Sequence, residues 1–230
     1  MTSAVVQGEP PHAHVVAHGD TSEQRHNREH IALWLFIAGD AVLLLLSVFA
    51  WIYTRALDTK GMWRGAACTV ANPCQDGLGN PLTHEVRTAD PWYGVGVLAL
   101  AVAGALLLLS SERAARRRVP AVSAGAASIS APAAAAVLVL CGAIALQLYQ
   151  FTVLPFTTID GTYASFFEFF MGSASAHLVV VLFVAAGAWN RARLGRYAEG
   201  QWYQLRLVRI FALWIAFSIA VLLFVMSVFT

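Results

Sequence analysis

The chain has 230 residues, of which 58% are hydrophobic and 12% charged, with a net charge of +2. The charged share is roughly half that of an ordinary soluble domain, and the mean hydropathy is +0.63. A soluble globular enzyme is excluded, and so is a basic nucleic-acid binder, for which no supporting fold is in view. The apolar residues fall into five blocks near the ~20 residues needed to cross a bilayer. These are residues 31–53, 92–110, 132–151, 169–189 and 210–229. The expected fold is an all-α polytopic membrane protein, a bundle of five transmembrane helices.

Residues 1–30 form a polar arm with His12, His14, His18, His26 and His30. Their irregular spacing, with Gly and Pro between them, favours a solvated tail over a metal site. The arm has no apolar core of a signal peptide, so the first span is its own insertion signal. That span reads WLFIAGDAVLLLLSVFAWIY and contains Asp40. By helical rise Asp40 lies ~14 Å into the span, near the middle of a ~30 Å hydrocarbon layer. A carboxyl group at that depth must be protonated, paired inside the bundle or wet.

Residues 54–91 are the largest segment between spans. Asn72-Pro73, Asp76-Gly77 and Gly79-Asn80-Pro81 mark turns in it. Cys68 and Cys74 lie here, and a disulfide between them is the expected state, with free thiols or a metal site as alternatives. So short a loop gains only about 2 kcal/mol from the bond. Cys141, inside the third span, reads as a small apolar filler. The second span ends in LLLLSSERAA, followed by Arg113, Arg116, Arg117 and Arg118, a cluster suited to fixing orientation and meeting anionic head groups.

The stretch from Gln147 to His177 carries unusually patterned polarity for a chain of spans: Gln147, Gln150, Tyr163, Ser165, Glu168 and His177. His177 lies ~12 Å into the fourth span by helical rise. It can therefore reach the depth of Asp40 on another helix, and the two are expected to approach one another, directly or through one or two intermediates. Gly172 and Ala176 form a small-xxx-small step that admits a close helix neighbour. The last connecting segment mixes Arg with Tyr197, Trp202 and Tyr203, as at a head-group interface, and the fifth span carries Trp214.

Lys and Arg orient the whole. With the N-terminus inside, eleven of the fifteen fall on the cytoplasmic side and four on the other. The expectation is N-terminus cytoplasmic, C-terminus outside. Fourteen Arg against a single Lys suggest a GC-rich bacterial genome and hence a bacterial plasma membrane.

Several of these motifs together resemble subunit III of the haem-copper respiratory oxidases (the cytochrome c oxidase family). The family's W-x-F-I-x-S-E is similar to Trp34, Phe36, Ile37 and Asp40, with Asp for Glu and Gly39 for Ser. Its Q-x-x-E-Y, Y-G-S-x-F-F and G-x-H-G-x-H-V resemble Gln147 to Phe151, Tyr163 to Phe167, and Gly172 to His177. Its L-L-x-S-S is matched at Ser110 and Ser111, and its Trp early in the last span at Trp214. The departures are Gln150 for the family's Glu, Ala174 and Ser175 for its first His and following Gly, and Val208 and Phe211 for the basic and acidic residues before the Trp.

The resemblance covers residues 31–230 apart from the loop at 54–91, in the short five-helix form. It implies a non-catalytic structural subunit of a terminal oxidase that reduces oxygen to water and translocates protons. Subunits I and II would be the partners and would carry the haem and copper, with a larger respiratory supercomplex as a further partner the resemblance admits. Bound phospholipid is implied in a cleft between helix groups. The candidate residues for polar or lipid-cleft roles are Asp40, His177, Trp34, Gln147, Gln150 and Glu168. Membrane haems are held by His pairs within spans, and His177 is the lone His in a confident span, so no catalytic, cofactor or metal residues are expected on this chain. The alternatives are an accessory subunit of a nitric-oxide reductase or, in a different class, a small proton-coupled carrier built on Asp40, Glu168 and His177.

Overall fold

The computed structural model describes residues 22–57, 63, 88–117, 126–158, 160–197 and 202–228. Five helices account for most of them: α1 (Ser22–Ala56), α2 (Pro91–Arg116), α3 (Ala126–Thr152), α4 (Thr162–Arg193) and α5 (Tyr203–Val228). All five are long and apolar enough to cross a membrane. There is no strand among the described residues. Cys68 and Cys74, with their expected disulfide, and His12, His14, His18 and Arg118 lie outside the described residues.

At the start of α2 and the end of α4, end groups find local partners. α2 starts behind Asp90, whose side chain accepts from Trp92 N at 3.0 Å, with Pro91 in the first turn where its missing N–H costs nothing. α4 ends on Gly195, held at φ 70°. Gly195 N donates to Ala192 O at 3.1 Å and Arg196 N to Arg191 O at 3.0 Å, the crossed pattern that a left-handed glycine allows. α1 begins at Ser22, so His26 and His30 sit on its first turns rather than in the polar arm expected up to residue 30. The His26 ring packs edge-on against Tyr203, with centroids 4.4 Å apart.

α2 packs on α3, α3 on α4, α4 on α5, and α5 back on α2, closing a four-helix ring. Small residues line its interior: Ala101, Ala105, Ala136, Ala143, Ala185 and Ala216 are all buried. Where helices approach most closely, α2 presents glycine. A Cβ on Gly104 would stand 3.0 Å from Leu140, and one on Gly94 would stand 2.2 Å from Leu223. Without a hydrophobic drive between helices in lipid, such close approach is what holds them.

Gly172 and Ala176 do not serve in this way. Both are exposed, and a Cβ on Gly172 would meet nothing within 4 Å. The inward stripe of α4 runs instead through Met171, Ala174, Leu178, Val181, Ala185 and Ala188. A small-xxx-small step specifies a surface that permits close packing, but the rotation of the helix decides whether a neighbour lies there.

α1 stands outside the ring. Its substantial packing is against α5 and, more sparsely, α4. The bundle has two distinct ends. One gathers Arg113, Arg116, Arg191, Arg193 and Arg209 and is called here the arginine end. At the other, the aromatic end, Trp51 is fully buried among Trp63, Tyr163, Phe166 and Phe170.

Candidate functional site

Asp40 and His177 meet directly. His177 Nε2 lies 3.0 Å from Asp40 Oδ1, with the two side chains only 22% and 10% exposed. A third helix joins them: Trp214 Nε1 donates to Asp40 Oδ2 at 2.6 Å. His177 is turned toward Asp40 by its other nitrogen, since Nδ1 lies 2.7 Å from Ser173 O one turn back along α4. Phe36 completes the enclosure, edge-on to the His177 ring (6.5 Å) and to Phe211 (5.3 Å). α1, α4 and α5 are thus tied at one level by a carboxyl group with a partner on each oxygen. That satisfies the requirement that polar groups away from water be bonded.

The other candidates lie elsewhere. Trp34 is half exposed and donates to His30 Nε2 at 3.3 Å, within α1. Gln147 and Gln150 are buried near the C-terminus of α3 and bond one another, Gln147 Nε2 donating to Gln150 Oε1 at 3.0 Å. Glu168 accepts from the Thr158 hydroxyl across the α3–α4 turn. The same turn is held by Asp160 Oδ2, which accepts from Thr157 N at 2.6 Å, and by Ser165 Oγ, which donates to Thr158 O at 2.6 Å. These residues latch a turn at the aromatic end, while Asp40 and His177 sit deeper, with Trp214 as their partner.

A second polar cluster went unnoticed in the sequence. Glu112, on α2, is 1% exposed. Arg209 Nε, from α5, donates to its Oε2 at 2.6 Å, and Arg116 pairs with its Oε1. The Arg116 guanidinium lies over the Trp202 ring, 4.2 Å from the centroid. Nearby, Ser111 Oγ donates to Ile129 O of α3 at 2.8 Å. Part of the arginine cluster therefore faces the protein rather than head groups. The available signal was one acidic residue among arginines at the end of a span, too costly there without a partner.

Between the arginine-end halves of α1, α4 and α5 runs a groove of about 550 Å³. Leu33, Phe36, Phe183, Leu207 and Phe211 line it, and Arg191 and Gln204, bonded to one another, stand at its polar end. Tyr197 also lines it, and burial pushes its phenol from 10.0 up to about 12, against the pull of Arg191. Among the described residues no group of three His, Cys, Asp or Glu side chains is placed to hold a metal ion.

No family model and no curated protein matches this chain. The fold defines a class, a multi-pass all-helical membrane protein.

Proposed function

We propose that this chain is a structural subunit of a bacterial respiratory haem-copper oxidase, of the short subunit III kind, oriented with its N-terminus in the cytoplasm. The observation that carries the reading is convergence. Three separate resemblances, the Asp40 motif of the first span, the His177 motif of the fourth and Trp214 of the fifth, meet in one hydrogen-bonded cluster. In this role the chain flanks the catalytic subunit and contributes helix surface and bound lipid, while haem and copper sit on its partners. The groove between α1 and the ring suits an acyl chain, with Arg191 at the level of a head group.

The test is purification of a tagged copy in mild detergent, followed by absorption spectra, mass spectrometry and gas consumption. Haem co-purifying with a larger His-rich polytopic chain, and oxygen uptake by the complex, is the expected result. Nitric-oxide consumption in place of oxygen would move the chain to a reductase of the same architecture. A colourless protein, alone and stable, would sink both. The Asp40–His177 pair also favours a proton-coupled carrier as a second reading. Asp40→Asn should abolish transport in a carrier, whereas in an accessory subunit it leaves initial oxidase turnover largely intact.

A further inference from the structure

The partners of His177 determine how many protons it and Asp40 hold between them. A backbone carbonyl can only accept, so Nδ1, 2.7 Å from Ser173 O, carries a hydrogen. Nε2 then faces Asp40 Oδ1 at 3.0 Å. A bare ring nitrogen against a carboxylate oxygen would oppose two acceptors, so one proton lies between them, on Oδ1 or on Nε2. Trp214 donates to Oδ2 at 2.6 Å and keeps that oxygen an acceptor. Both placements, acid with neutral imidazole or carboxylate with imidazolium, leave the pair electrically neutral.

Beside this pair is a cavity of about 30 Å³, room enough for water. Its polar lining, beyond the pair itself, is Ser47, Ser173 and Ser218. The α1 residues that line it follow Asp40, those of α4 precede His177, and those of α5 follow Trp214. Because α4 runs opposite to α1 and α5, every one of these lies on the aromatic-end side of the pair. On the arginine-end side the neighbours are Phe36 and Phe211, packed edge to face, and beyond them the apolar groove.

We infer that Asp40 and His177 form a binding site for a single proton, hydrated through the serine-lined cavity on the aromatic-end side and sealed by Phe36 and Phe211 on the other. Exchange passes the proton from Oδ1 or Nε2 to a water oxygen, leaving a carboxylate and a neutral imidazole. Return of a proton restores neutrality, and a second would give an acid and an imidazolium. Either charged state is costly in apolar surroundings, so the pair holds one proton between its two groups. No other titratable group lines the cavity. Glu29 and His30 of α1 lie toward the arginine end, Glu168 of α4 is bonded to Thr158, and Arg209 of α5 is bonded to Glu112. The site is complete within this chain, whichever complex the chain joins.

The test uses the full chain in lipid nanodiscs, by nitrogen-15 NMR of the histidine rings and infrared spectroscopy of the Asp40 carboxyl during transfer to heavy water. The expected result is a His177 ring with one hydrogen on Nδ1, held to Ser173 O, and another shared between Nε2 and Asp40 Oδ1. Filling the cavity with Ser47→Leu or Ser218→Val should slow deuterium exchange at the pair about tenfold. Gly187→Leu, which fills the groove on the sealed side, should leave it unchanged; a Cβ at Gly187 meets nothing within 4 Å. A wild-type ring whose Nδ1 carries no hydrogen overturns the inference, and so does equal slowing by Gly187→Leu. The NMR arm needs no variant to fold, and neither arm depends on oxidase partners.

Discussion

Tyr197 shows what one buried hydroxyl does to the pH response of a membrane protein. It is 3% exposed, and its hydroxyl has no hydrogen-bond partner among the described residues. Burial disfavours the phenolate, raising the phenol from 10.0 to about 12, with Arg191 opposing. The folded state therefore holds this proton more tightly than the unfolded one. The resulting stability is fully present below pH 10.0 and is lost as pH rises toward about 12. Tyr197→Phe should abolish that loss while leaving stability near neutral pH unchanged or slightly higher, because the hydroxyl it removes is unbonded. Ultraviolet difference titration against wild type, with unfolding midpoints at each pH, checks both.

At the scale of the helices, Glu112 and Arg209 tie α2 to α5 from positions far apart in the chain. Removing one partner of a buried ion pair leaves a charge without compensation, at a cost of about 3–5 kcal/mol. Glu112→Ala should approach that loss. The double variant Glu112→Ala with Arg209→Met should be more stable than the sum of its single losses predicts, the interaction being read from a double-mutant cycle of unfolding midpoints.

The same pair marks the limit of what the sequence discloses. Helices and their order are legible because a bilayer demands long apolar runs. Asp40 and His177 are legible because ionisable groups inside such runs need a reason to be there, and helical rise puts them at one depth. Glu112 hides among arginines, where charge is ordinary, and nothing local points to a partner 97 residues away. Gly172 and Ala176 mislead for the opposite reason: their spacing is plain, but which way α4 faces is set by the whole ring. Trp214 fell between, recognised as a motif but not as the donor to Asp40.

For the whole molecule, the distribution of Lys and Arg is the ground for expecting the arginine end on the cytoplasmic side. Single cysteines in a cysteine-free background test this in intact cells. A cysteine at Arg113 should resist a membrane-impermeant thiol reagent until the membrane is opened, while one at Thr88 should react at once. The reverse pattern would invert the topology and place the serine-lined cavity on the cytoplasmic side.

The position of α1, outside the ring yet joined to it through Asp40, also sets a problem of timing during synthesis. α1 is made before the four helices of the ring, and Trp214 comes 174 residues after Asp40. At ribosomal speeds of about 5–20 residues per second the interval is roughly 9 to 35 seconds. Asp40 lacks both partners until His177 is made and lacks Trp214 for the whole interval, and an acid at the centre of an inserting helix is penalised by about 2.5–3.5 kcal/mol. The leucine-rich stretch after it, Val42 to Leu46, offsets that penalty and lets the helix enter the bilayer alone. Of the five helices described, it is α5, made after the other four, that finally gives α1 its place.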